Sequence, residues 1–159
     1  MNVYKPSIKD SNELAEDLFW RIDPQLVLYP PREYACYQLT ISVFFNASHF
    51  VSFGASTGNM HRHSFHLKVT AMASSLAEDN SLVPYENLRQ IINQIVSAYE
   101  GKILNDLPPF RRLQPTVEML VGVIAQQVNR LACDLPVRII EVTVMESPTQ
   151  GVTLILNQP

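Results

Sequence analysis

Two stretches between residues 34 and 76 alternate strictly enough to decide the architecture around them. In "YACYQLTISVFFNASHF", Leu39, Ile41 and Val43 alternate with polar neighbours inside a run rich in Tyr, Ile, Val and Phe. In "HSFHLKVTAMASSL", Phe65, Leu67 and Val69 alternate with Ser64, His66 and Lys68. Side chains two apart on a strand share a face, so each stretch reads as a strand with one buried side. The Gly/Ser/Thr/Asn-rich "SFGASTGN" between them reads as a loop, which makes the pair a long β-hairpin.

The period then changes. In "VPYENLRQIINQIVSAYEG", Pro84 suits a first helical turn, and Leu88, Ile91, Ile92 and Ile95 form a helical stripe that ends near Gly101. A proline-bearing connection, "ILNDLPPFRRLQ", leads to a second helix in "PTVEMLVGVIAQQVNRLA". Pro115 and Thr116 lie near its start, and Leu120, Val123, Ile124 and Val128 face inward. "VRIIEVTVME", a turn at "SPTQG" and "VTLILNQ" read as a closing hairpin. The order ββααββ implies an α+β fold, an antiparallel sheet with helices on one face. Before it, residues 1–33 read as an N-terminal extension to a domain spanning 34–159. A short amphipathic helix is expected over 11–20, and prolines break regular structure through residue 33.

Composition narrows the function. Hydrophobic content of 47% with 17% charged residues belongs to a folded chain. A net charge of −3 and scattered basic residues offer no electrostatic basis for nucleic-acid binding. No apolar run approaches the roughly 20 residues that span a bilayer. The acidic, polar N-terminus lacks the apolar core of a secretion signal, so a cytoplasmic protein is expected. Cys36 and Cys133 are too few for a disulfide framework and read as two reduced, buried thiols.

All four histidines fall between residues 49 and 66, in "HFVSFGASTGNMHRHSFH". His61 and His63 share a strand face, about 7 Å apart by the strand rise. His66 has the opposite parity. His49, at the other end of the loop, comes beside the pair if the hairpin forms. Three neutral imidazoles with a fourth position open are the donor set of a catalytic zinc site, although an H-x-H pair also occurs as plain surface or core histidine.

The spaced motifs carry a family resemblance. "FNASH" at 45–49 and "MHRHSFHLKV" at 60–69 resemble the F-x-A-x-H and L-H-G-H-[NS]-[FY] segments of the 6-pyruvoyltetrahydropterin and 6-carboxytetrahydropterin synthases. "LVPYENLRQII", "KILNDLPPF", "PTVEML" and "VTVMES" resemble that family's later segments in the same order, so the resemblance covers roughly residues 35–158. It implies the tunnelling fold: a four-stranded antiparallel sheet with two helices on one face, assembled edge to edge as a homo-oligomer, a trimer or hexamer. It also implies zinc as cofactor, with His49, His61 and His63 as ligands, and a small-molecule pterin of the 7,8-dihydroneopterin triphosphate class as ligand or substrate. Glu146 matches the glutamate that holds the pterin ring, although a plain strand-end carboxylate is the other reading. Thr116 and Glu118 would neighbour the pterin, and Glu118 also reads as a first-turn carboxylate favoured by the helix dipole.

The proton-transfer groups depart from the family. The stretch before His61, "SFGASTGNM", has neither the usual cysteine nor a carboxylate, and Gly58 stands where a variant subgroup carries glutamate. In "AYEGKILND", Glu100 and Gly101 align with the family's Asp-His pair, so half of that pair is lost and Glu100 is left as the candidate catalytic residue. Tyr99 and Glu33 are the other possible substitutes, whereas His66 has the wrong parity and Cys36 lies too far before His49 to stand in for the thiol. Arg62 replaces the glycine of H-G-H and should point away from the metal ligands. Positioned acids and bases typically supply about 10²–10⁴-fold in rate. The family's lyase reaction, which eliminates triphosphate, is therefore expected to be weak or absent. A zinc- and pterin-binding paralogue without catalysis, or a structural oligomer without metal, are the alternatives.

Overall fold

The structure, a computed structural model, describes residues 36–156 and, before them, Gln25 alone. The expected extension over 1–33, with its helix at 11–20, otherwise lies outside the described residues. Residues 36–156 form seven strands and two α-helices: β1 (Tyr37–His49), β2 (Ser52–Phe53), β3 (Ser56–Thr57), β4 (His61–Ala73), α1 (Tyr85–Ser97), β5 (Lys102–Ile103), α2 (Val117–Leu131), β6 (Arg138–Ser147) and β7 (Gln150–Ile155). Two short 3-10 turns, Leu104–Asp106 and Pro108–Arg111, lie between β5 and α2.

The expected hairpin forms in full. β1 and β4 pair antiparallel over thirteen positions, from Tyr37 opposite Ala73 to His49 opposite His61. Its buried face is the one that alternation selects: Leu39, Ile41, Phe45 and Ala47 on β1, with Phe65, Leu67, Val69 and Ala71 on β4. α1 packs against β1, and α2 against β6 and β7. α1 buries Leu88, Ile92, Ile95 and Val96, while Ile91 is half-buried at the rim of the stripe. α2 begins at Thr116, whose hydroxyl accepts a hydrogen bond from the Met119 amide at 3.4 Å, and buries Leu120, Val121, Ile124, Ala125 and Val128. Val123 is half-buried.

Two expectations need correction. The sheet has five strands rather than four, in the order β5-β1-β4-β6-β7, and β5 runs parallel to β1 rather than antiparallel. The cause is local. After α1 the chain turns at Gly101, whose φ of +70° lies in the left-handed region that suits glycine, and the Gly101 amide donates to the Asn46 carbonyl at 2.7 Å. That bond lays Lys102 and Ile103 along Ala47 and Ser48. Two residues are too few for alternation to reveal them. The second correction concerns the thiols: Cys36 and Cys133 are free but both exposed, one just before β1 and the other just after α2.

The β6–β7 hairpin carries the last feature that shapes the site. Met145 pairs with Gly151 and Ser147 with Gln150, so Glu146 is the extra residue of a β-bulge. A Cβ on Gly151 would lie 2.6 Å from the Val144 carbonyl oxygen and 2.8 Å from the Met145 Cα. The close approach of β7 that holds the bulge therefore requires glycine there.

Candidate metal centre

The hairpin register assembles the histidines. His49 ends β1 directly opposite His61, and His63 lies opposite Ala47, so the three rings fall on one face at the loop end of the hairpin. Ring centroids are 4.4 Å apart for His49–His61, 5.2 Å for His49–His63 and 4.8 Å for His61–His63. One nitrogen from each ring lies within 4.8 Å of the others. The rings are mutually steep, at 61° to 88°, so they approach one point from three directions rather than stacking.

Two of the rings have their tautomer set by the backbone. His49 Nδ1 donates to the Pro115 carbonyl at 2.7 Å, and His61 Nδ1 donates to the Asn59 carbonyl at 2.8 Å. Each bond leaves Nε2 as the lone-pair nitrogen, the arrangement in which a ligating imidazole is oriented by its other ring nitrogen. His49 Nε2 and His63 Nε2 are both buried and have no hydrogen-bond partner. A buried acceptor without a partner costs about 1–3 kcal/mol, so two of them side by side need an explanation. A divalent cation supplies one, and three imidazole nitrogens are a fitting donor set for zinc. Burial pushes the His49 pKa down, the neighbouring His61 and His63 add to the shift, and the Pro115 carbonyl and Glu146 oppose it. The ring is thus held in the neutral form that ligation needs.

Beside the histidines lies a cleft of about 650 Å³ whose walls include His49, His61, Thr116, Glu118, Glu146 and Gly151. Its size is within the range of small-molecule sites. β1 and β4 contribute the histidines, the start of α2 contributes Thr116 and Glu118, and the β6 bulge contributes Glu146. The Glu118 carboxyl is held below its ordinary pKa by its own backbone amide and by the Thr116 hydroxyl. The structure therefore brings together all three expected ligands and the three expected substrate-side residues.

The 6-pyruvoyl tetrahydropterin synthase family model matches residues 38–155. The chain belongs to that family. Among solved structures, 6-pyruvoyl tetrahydropterin synthase from Caenorhabditis elegans superposes with a TM-score of 0.69 at 14% identity, covering 77% of this chain and 97% of that one. A catalytic-residue mutant of the Plasmodium vivax synthase gives 0.65 at 17% identity, over 78% and 99%. An uncharacterised protein from Wolinella succinogenes gives 0.66 at 12%, over 77% and 99%. At these identities the likeness is one of fold. No curated protein sequence matches the chain.

Against the family pattern, the candidate proton carriers lie elsewhere. Glu100 does not line the cleft; its two oxygens accept the Asn46 backbone amide at 2.9 Å and the Asn46 side-chain amide at 3.2 Å, at the edge of β1. Gly101 has the positive φ described above, a conformation a histidine adopts only under strain. Tyr99 is buried in the core, donating its hydroxyl to Gln127 at 2.8 Å. His66 stacks on Phe44 with centroids 4.4 Å apart, on the sheet face away from the helices, as its parity implies. Arg62 lines a recess of about 600 Å³ with Phe44 and His66, and also with His63 and Glu146. Cys36 lines a different recess with Met72 and Leu135, and Glu33 lies outside the described residues. At position 58, a side chain would meet the Val51 carbonyl oxygen at 2.9 Å from its first carbon.

Sequence reasoning missed the groups that hold the loop. Asn105 pairs with both backbone groups of Phe50, its Oδ1 accepting the amide at 3.0 Å and its Nδ2 donating to the carbonyl at 3.0 Å. Gln114 pairs the same way with Ser52, at 3.0 and 2.7 Å. Between them the Gly58 amide donates to the Val51 carbonyl at 2.9 Å. Two side-chain amides thus act as a substitute strand for the residues that follow His49. Asn105 lies within the quoted "LND" motif, which was the available signal; an amide side chain bonding to backbone more than fifty residues away leaves no periodicity.

Proposed function

We propose that this protein binds zinc through His49, His61 and His63 and holds a dihydropterin in the adjoining cleft, with little or none of the triphosphate elimination of its family. The observation that carries the reading is the pair of buried, partnerless Nε2 atoms on His49 and His63, with His49 and Glu146 both lining the adjoining cleft. A zinc ion there would supply Lewis acidity, polarising oxygens on the ligand's side chain. The remaining roles belong to the chain. Glu146, held outward by its bulge, accepts two parallel hydrogen bonds from the 2-amino group and the adjacent ring N–H of a pterin, a planar bidentate match. Thr116 and Glu118 border the same cleft and contact the ligand from the start of α2.

Binding without efficient turnover is supported by where the titratable groups stand. The Plasmodium vivax relative is described with a catalytic residue, whereas no cysteine or carboxylate occurs between His49 and His61 in this chain. Glu100 already accepts from Asn46 with both oxygens, which makes it a poor proton carrier. We also propose a homo-oligomer, because the outer edge of β7 is unpaired among the described residues and Ile155 on it is 65% exposed. No helix among the described residues is long and apolar enough to cross a membrane.

The test is metal analysis of protein purified without chelator, followed by titration with a dihydropterin and incubation with 7,8-dihydroneopterin triphosphate. One zinc per chain, saturable pterin binding and no release of triphosphate support the reading. Absence of zinc under metal-replete conditions overturns it, and rapid triphosphate release overturns its non-catalytic part.

A further inference from the structure

The β1–β4 hairpin has a second end, and a recess of about 730 Å³ lies there. Tyr37 pairs with Ala73 at that end, about 40 Å from the His49–His61 pair by the strand rise. The walls come from the end of β4 and the turn after it, from the start of β6 and from Cys36 just before β1. Five of its apolar side chains, Met72, Leu76, Leu82, Leu135 and Val137, are only half-buried, and the exposed Arg138 adds a positive charge. A neighbouring recess of about 370 Å³ shares Leu76 and Leu82 with the first and includes Tyr37 and the exposed Tyr85. Together they make an apolar groove beside the point where the chain enters β1, a shape and chemistry that suit the apolar face of a short amphipathic helix. The groove lies at the ends of β1, β4 and β6, the inner strands of the sheet, whereas the unpaired edge that suits assembly is that of β7.

The residues that precede Cys36 lead directly into this groove. Among them, "DSNELAEDLF" at 10–19 sets Leu14, Leu18 and Phe19 at the spacing of one helical face, with Asp10, Glu13, Glu16 and Asp17 and no basic residue in the same stretch. We infer that this segment docks in the groove of its own chain, with Leu14, Leu18 and Phe19 against Leu76, Leu82 and Leu135 and its carboxylates toward Arg138. Residues 20–35 are the tether. Fully extended they reach about 50 Å, ample for the chain to turn back on a groove that starts at the tether's own end. A segment tethered in this way meets its seat at roughly millimolar effective concentration, so a shallow apolar groove holds it without the affinity that a separate partner needs. Neither zinc nor pterin enters this contact.

The two thiols of the full chain provide the test. Cys36 lines the groove, whereas Cys133, just after α2, does not and serves as the internal control. With a maleimide reagent, Cys36 should react at least tenfold more slowly in the unmodified protein than in Leu14→Asp/Leu18→Asp, while Cys133 reacts equally fast in both. A tenfold slowing corresponds to a seat filled about nine-tenths of the time. Hydrogen exchange at residues 74–77 and 135–138 should quicken in the same variant and stay unchanged along β1 and β4, which separates release of the segment from loss of the fold. Equal Cys36 rates in the two proteins overturn the inference: fast in both means an open groove, and slow in both means another occupant, such as a second copy. Protection that fades on dilution assigns the seat to a neighbouring chain and overturns docking within one.

Discussion

Replacing His63 with leucine should make the metal-free protein more stable and the zinc-loaded protein less stable, a crossing that follows from the partnerless nitrogens. His63 Nε2 is buried with no hydrogen bond, while the ring packs against Phe65 at 5.4 Å. An unsatisfied buried polar group costs about 1–3 kcal/mol, and an apolar side chain of similar shape removes that cost. His63 as a whole is only half-buried, so the lower end applies and the gain is about 1 kcal/mol. For a chain of this length that raises the unfolding midpoint by about 2–4 °C. Zinc acts in the other direction. At a free concentration one hundred times its Kd, a ligand that binds only the folded state adds about 2.7 kcal/mol. The native protein should therefore gain roughly 5–10 °C on zinc addition. His63→Leu, with two imidazoles left, should gain little. With zinc in excess the variant should be the less stable protein by about 1.7 kcal/mol, the difference between those two estimates. Thermal unfolding of both proteins, with chelator and with buffered zinc, reads all four states. If the variant is destabilised in chelator, His63 Nε2 has a partner and the argument for a cation fails. If the variant keeps the full zinc increment, the ion binds somewhere else.

The other predictions concern the groups around the centre. Glu146→Gln should weaken pterin binding roughly tenfold or more, since hydrogen bonds to a charged acceptor are worth about 1.5–3 kcal/mol, and should leave zinc content unchanged; titration with parallel metal analysis separates the two effects. Asn105→Asp keeps the acceptor for the Phe50 amide but sets a carboxylate oxygen against the Phe50 carbonyl; a loss of about 1–2 kcal/mol in denaturant unfolding is expected, with faster zinc loss to a chelator. Tyr99→Phe tests the alkaline limb of stability. Burial raises the Tyr99 phenol above its ordinary value of 10.0 and outweighs the Gln127 hydrogen bond. A raised folded-state pKa gives a contribution that is complete below pH 10 and lost as pH climbs through the folded value. The native protein should therefore lose stability above about pH 10 more steeply than the variant, in unfolding curves taken pairwise across that range.

What could be read in the sequence follows from which forces leave a period behind. Burial does: the alternation at Leu39, Ile41 and Val43 and the stripe at Leu88, Ile92 and Ile95 each mark a face against one core, and both elements form where they were expected. Strand parity then placed His61 with His63 and turned His66 away, so the histidine cluster required only that the hairpin close in register. Hydrogen bonds between distant parts of the chain leave no such trace. β5 depends on one amide reaching the Asn46 carbonyl, the loop after His49 is held by Asn105 and Gln114, and Glu146 is aimed by a bulge that tolerates only glycine at position 151. The same distinction runs through the candidate site. The three clustered histidines follow from strand spacing, whereas the positions aligned with the family's proton-transfer groups lie in turns. Here the turn at residue 101 needs a left-handed backbone, and the loop at residue 58 brings the Val51 carbonyl to where a side chain would begin. A carboxylate at position 58 would therefore need the backbone around Val51 to shift, and a histidine at 101 would be strained by its left-handed backbone, so neither group returns by a side-chain replacement alone.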